Sequence, residues 1–384
     1  MFHASRLCCS LLAFSSALLA QDTSLPAPAT DPPVIAAAGV ITPAAAPADD
    51  AALLPVAASL GVRYAGKPST GAKLAPKLGP AVRRALNDWA ELADTLKLSV
   101  VVPQKADVLV MGRAPQDALA RAAGLAEDVA ALYDKCRLPA AGAPRAAVIV
   151  VLFDDEGFAS ETWPGLLDAL LARRMVTADC VTDMKAHPGS LMVRPSLFFT
   201  QHTWDMAGNA ADGDDEYRLD NEVVHKLAQL LVEARFGRQP EVLRWGLGYV
   251  AEQRRFGNIY QFNASGMVMS ADHFDWPAKT AESLKSASKL PSFGLVDTIL
   301  RTSQPGTPVP GQRDAWAALD YALAREPDKL AALLAALGAL HQAVDEQGTS
   351  ADYRGDAGAV RAACEQSWGQ WKVATLCEHL KKLK

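Results

Sequence analysis

The sequence predicts an α+β fold in which a small mixed β-sheet is followed by a mainly helical half. Three observations carry this. Ala146–Phe153 is an unbroken apolar run of strand length, rich in β-branched side chains, as a central strand covered on both faces requires. After Tyr217 the apolar residues recur at helical spacing. There is no repeated strand–helix–strand unit and no glycine-rich phosphate loop, which sets aside a doubly wound nucleotide-binding sheet.

At the N-terminus, Arg6 precedes an apolar run from Leu7 to Ala20 that ends in small residues. This reads as a secretory signal peptide over 1–20, cut near Ala20–Gln21, and the run is short for a membrane span. The expected location is the periplasm, the cell envelope or the exterior, with membrane contact only through this segment if it stays uncleaved. Residues 21–80 are rich in Ala and Pro (Pro26, Pro28, Pro32, Pro33, Pro43, Pro47, Pro55) and read as a disordered tether.

A sheet-containing subdomain is expected over 81–217. Val82, Leu86, Trp89, Leu92 and Leu96 give a helix over 81–96, and strands follow at 98–102 and 107–111. Pro115 opens a long helix to about Lys135, and the strand at 146–153 comes next. Asp154 and Asp155 start a short helix containing Phe158. Leu191–Thr200 reads as one strand, at an edge because Pro195 cannot donate to a ladder.

A helical subdomain is expected over 218–384. Its first helix carries Val223, Val224, Leu227, Leu230, Leu231 and Ala234, is capped by Asp220 or Asn221 and stops at Gly237. A second helix runs from about Glu241 to Phe256, ending at Gly257. Further helices are expected at 292–302, 314–325, 327–340 and 356–383.

The chain has 384 residues, is 50% hydrophobic and 21% charged, and carries a net charge of -5. This mildly acidic balance, with no long Lys/Arg run, excludes an electrostatic footprint for nucleic acid. With Cys8 and Cys9 in the signal segment, Cys136, Cys180, Cys364 and Cys377 remain. An exported chain can pair them, Cys364 with Cys377 first, or keep them as buried thiols.

The chemistry-bearing stretch is Asn221-Glu-Val-Val-His225-Lys226-Leu-Ala-Gln229. A zinc-protease helix reads H-E-x-x-H, with two imidazoles on one face and a Glu that activates the metal-bound water. Here Lys226 stands at the Glu position and Gln229 at the second His. Twenty positions after His225, Trp245 lies within Pro240-Glu-Val-Leu-Arg-Trp245-Gly246-Leu247-Gly248-Tyr-Val-Ala-Glu252. Together the two segments resemble the helix pair of the peptidase MA-like (gluzincin) metallopeptidases.

In that group the second helix follows a P-x-W-x-x-E-G-x-A-x-x-x-E-like pattern, whose first Glu is the third zinc ligand. Pro240, Gly246, Leu247 and Glu252 fit, Gly248 replaces the usual Ala, and Trp245 stands at the ligand Glu. Val148–Phe158, Leu290-Pro-Ser292 and Trp368-Gly-Gln-Trp371 extend the resemblance over about 97–380.

Carried over residue by residue, the resemblance implies a pseudopeptidase. Only His225 of the functional set survives, and zinc is expected to be lost, because catalytic zinc needs three protein ligands. Lys226 is an acceptor-free ammonium, Gln229 a poor zinc ligand and Trp245 none. If the cleft persists, His225, Gln229, Trp245 and Tyr249 face it, and a peptide or protein partner is the expected occupant. Two alternatives stay open at this point. One is a hydrolase with a relocated metal on His202, Glu222 and His225. The other is a structural helical envelope protein with no cleft.

Overall fold

In the computed structural model the described residues are 52–136, 138, 146–154, 161–186, 191–193, 197–201, 218–262, 270–286, 309–341, 353, 355–367 and 373–383. The sheet holds seven strands, β1 (Gly61–Tyr64), β2 (Lys67–Thr70), β3 (Ser99–Val102), β4 (Val108–Arg113), β5 (Val148–Phe153), β6 (Leu191–Val193) and β7 (Leu197–Gln201). Their order is β2-β1-β3-β4-β5-β7-β6. The sheet is mixed. β4, β5 and β7 run parallel, whereas β1–β2, β3–β4 and β6–β7 are antiparallel pairs.

Strand β5 explains its own composition. Val148, Val150 and Leu152 pack into one hydrophobic core, and Ile149, Val151 and Phe153 into another on the opposite face. Side chains alternate along a strand, so burial on both faces demands the unbroken apolar run. The second core is closed by α1 (Pro55–Ser59), α2 (Gly71–Leu74), α3 (Pro80–Thr95), α5 (Thr162–Ala172) and α6 (Ala178–Ala186). The first is closed by α4 (Gln116–Lys135) and, apart from the short α9, the helices of the second half. Those are α7 (Leu219–Phe236), α8 (Glu241–Phe256), α9 (Ser270–Phe274), α10 (Trp276–Ser286), α11 (Val309–Arg325), α12 (Pro327–Leu340), α13 (Ala357–Ser367) and α14 (Val373–Leu380). The sheet and the helical half therefore share one core, within a single unit spanning 49–384. No helix among the described residues is long and apolar enough to cross a membrane.

Five expectations need correction. Order begins well before residue 80. Ala57, Val62, Leu74 and Leu78 are buried beside α3, and β1–β2 is a hairpin that extends the sheet, turning through Ala65 (φ 52) and Gly66 (φ 73). Pro68 is tolerated there because β2 is an edge strand. The single strand at 191–200 is instead the hairpin β6–β7, and its inner member pairs in parallel with β5.

Helix α7 starts at Leu219 with no side-chain cap, because Asp220 pairs with Arg121 and Asn221 is drawn into the interior. The helix expected over 356–383 is two helices, α13 and α14. Cys364 and Cys377 sit on these separate helices as free buried thiols, as Cys136 does, and Cys180 is also unbonded. The signal segment, the tether before residue 52, Phe158, His202, Leu290–Ser292, Trp368–Trp371 and the helix expected at 292–302 lie outside the described residues.

Candidate functional site

Helices α7 and α8 are joined by the turn 237–240. Gly237 takes a positive φ of 88, and Pro240 precedes the first turn of α8, where its missing N–H is no loss. Gln239 locks the turn. Its backbone N–H donates to Glu233 Oε1 (3.2 Å), and its side-chain amide donates to the carbonyls of Gly237 (3.0 Å) and Leu334 (2.9 Å). Gly257, in the left-handed region, closes α8.

Helix α7 is buried almost all round, yet Asn221, His225, Gln229 and Glu233 recur along it every fourth position. That spacing places them in one row on one face. Each meets a partner from α8 or its flanks. Asn221 Nδ2 donates to Glu252 Oε2 (2.8 Å), and His225 Nδ1 lies 2.7 Å from Glu252 Oε1. Gln229 Oε1 accepts from Arg244 Nη1, while Glu233 accepts from Gln239 and faces Arg238 at 3.7 Å. The row is a polar ladder through the middle of an apolar core. Buried polar groups persist only where they are bonded, and this ladder satisfies most of them internally.

Glu252 is its anchor. It is 0% exposed, and besides Asn221 and His225 it receives the backbone N–H groups of Tyr260 (2.8 Å) and Gln261 (3.3 Å). It thereby ties the chain leaving α8 back to the helix pair. Burial pushes its carboxyl up to about 8 against the opposing pull of these donors, those of Tyr260 and Asn221 first. Burial also holds His225 well below the usual imidazole range, helped by the nearby charges of Lys226 and Arg244. The two groups therefore titrate as a pair. With the proton on the carboxyl, Nδ1 accepts and Nε2 carries the ring hydrogen.

The His225 ring lies flat against the α8 backbone. A Cβ at Gly248 would sit 2.6 Å from two of its ring atoms, so the glycine leaves room for the imidazole. Trp245 meets the ring edge-on (centroids 5.8 Å) and Tyr249 meets it tilted (5.0 Å). The Lys226 ammonium stands 5.8 Å above the Trp245 ring. Burial lowers its pKa, while the Glu222 charge one turn earlier acts in the opposite direction.

The residues singled out by sequence thus converge. His225, Trp245 and Tyr249 are in mutual ring contact, Lys226 sits over Trp245, and Gln229 bonds to Arg244 one position before Trp245. Tyr249 does not line an open cleft. It is 1% exposed, packed between His225 and Trp276, and its hydroxyl is 2.8 Å from Gln312 Oε1. Sequence reasoning named Glu252 only as part of a frame, gave Asn221 only a capping role and missed Arg244. The fourfold polar recurrence on an apolar helix was the signal that would have found the row.

No family model, curated protein or solved structure matches the chain.

These residues do not fit zinc. His225, with Nδ1 held by Glu252, offers Nε2 alone where zinc needs three protein ligands; the amide oxygen of Gln229 is taken by a guanidinium, and Trp245 offers no ligand atom. Two cationic side chains, Lys226 and Arg244, would also oppose a metal ion there. Of the relocated set, His202 lies outside the described residues. No group of three or more His, Cys, Asp or Glu among the described residues is placed to hold a metal.

Proposed function

We propose that this chain is an exported, non-catalytic protein built on a gluzincin-like helix pair, and that it acts by binding or scaffolding. The observation that carries the reading is the polar ladder. The positions that would hold zinc in a peptidase are spent on His225–Glu252 and Gln229–Arg244, which join α7 to α8. A hydrolase needs an activated nucleophile or a metal-bound water, and Lys226 at the general-base position has no acceptor to supply one. Export is supported by Arg6 and the apolar run Leu7–Ala20.

Metal analysis and peptide-cleavage assays of the purified chain test this directly. The expected result is no stoichiometric zinc and no cleavage. Stoichiometric zinc that disappears in His225→Ala would overturn it. The close packing of His225, Trp245 and Tyr249 also favours a second reading, a purely structural protein, which predicts no ligand at this face.

A further inference from the structure

Three groups on facing turns of α7 and α8 have one chemical character. Gln229 is 0% exposed and its Nε2 has no hydrogen-bond partner, and the buried indole Nε1 of Trp245 has none either. Lys226, one turn from Gln229, places its ammonium over the Trp245 ring and makes no ion pair or hydrogen bond within the described residues. All three are donors. Gln229 Oε1 already receives Arg244 Nη1.

A water molecule could accept from two of these donors, but it brings two hydrogens that none of the three groups can accept. An ionised carboxylate is acceptor-only and carries the charge that a half-buried ammonium lacks. Glu222 and Glu252 temper the Lys226 charge, and the Arg244 guanidinium adds to it.

We propose that the Lys226–Gln229–Trp245 face binds a carboxylate, entering past the half-buried Lys226 and Trp245 toward the Gln229 amide. A cation-binding position of the gluzincin type becomes an anion-binding one. This rests on the non-catalytic reading, because a bound metal ion would itself supply the positive charge.

Titration calorimetry on the full chain with N-acetyl-alanyl-alanine, its C-terminal amide, acetate and inorganic phosphate tests the inference. The free-acid dipeptide or acetate should bind, and the amide at least tenfold more weakly. A tighter dipeptide marks a peptide terminus as the source, and equal binding of acetate marks a small acid. Lys226→Met, which keeps the stem over Trp245, should weaken binding about tenfold, and Lys226→Arg should restore it. Equal binding of acid and amide, tighter binding of phosphate, no binding of either carboxylate, or an unchanged Lys226→Met would overturn it. Zinc content and dipeptide cleavage in the same samples report on the non-catalytic reading separately.

Discussion

Replacing Glu252 with Gln changes the proton inventory of the ladder while keeping its shape. The folded pair loses its Glu252 proton near pH 8, against an ordinary carboxyl value of 4.5, and His225 resists protonation at its ordinary 6.5. Above pH 6.5 the unfolded chain holds no proton on either group, whereas the folded pair keeps one until about pH 8. The folded state binds more protons there, so stability falls as pH rises, by about 1.4 kcal/mol per pH unit. Across this window the loss is about 2 kcal/mol.

Between pH 4.5 and 6.5 each state holds one proton and the dependence cancels. Below 4.5 the unfolded chain holds two against one, and stability falls as pH drops. In Glu252→Gln only His225 titrates, so the loss above pH 6.5 vanishes and the acid loss begins at 6.5. Urea unfolding of both proteins at half-unit pH steps measures this. Parallel stability curves for the two proteins from pH 6.5 to 8 would refute the shared-proton pair.

Glu252→Ala removes the acceptor for Asn221, Tyr260 and Gln261 and should cost about 3–5 kcal/mol in urea unfolding. Gly248→Ala drives a methyl into the His225 ring and should destabilise by about 1–3 kcal/mol. Gly124→Ala on α4, where a Cβ meets nothing within 4 Å, should stabilise by about 0.5–1 kcal/mol under the same assay.

At a second buried cluster, Asp320 accepts from Arg254 Nε (2.6 Å) and lies 2.6 Å from His379 Nε2. Burial alone would raise the Asp320 carboxyl, but His379 and Arg254 outweigh it and hold the value below the ordinary 3.8. Its stabilisation is therefore present above pH 3.8 and lost as pH falls through the folded value. Asp320→Ala should cost about 3–5 kcal/mol by chemical denaturation at neutral pH.

Much of the architecture is legible in the residues because local chemistry determines it. The two-sided burial of Val148–Phe153, the breaks at Gly237 and Gly257, and the Pro327 start of α12 each follow from a single-residue rule. The β1–β2 hairpin is hidden because its few buried side chains, such as Val62, are scattered through an Ala/Pro-rich stretch whose composition argues for disorder. Helices α5 and α6 lie where the sequence reading assigns no element.

At the site, the row Asn221–His225–Gln229–Glu233 is visible as a period, but its partners are not. Nothing local tells that Glu252, Arg244 and Gln239 reach across from the neighbouring helix and its flanks. Nor does local sequence tell that Gly248 leaves room for an imidazole, since that space is defined only once two helices touch.

The Asp320 cluster also sets a schedule for folding. Arg254 Nη1 reaches Cys136 Sγ (3.0 Å), so four side chains between positions 136 and 379 meet in one buried network. A nascent chain that has reached the end of α11 carries Arg254 and Asp320 without the His379 imidazole that completes them. Such a chain stays incompletely closed until the segment 373–380 has been made.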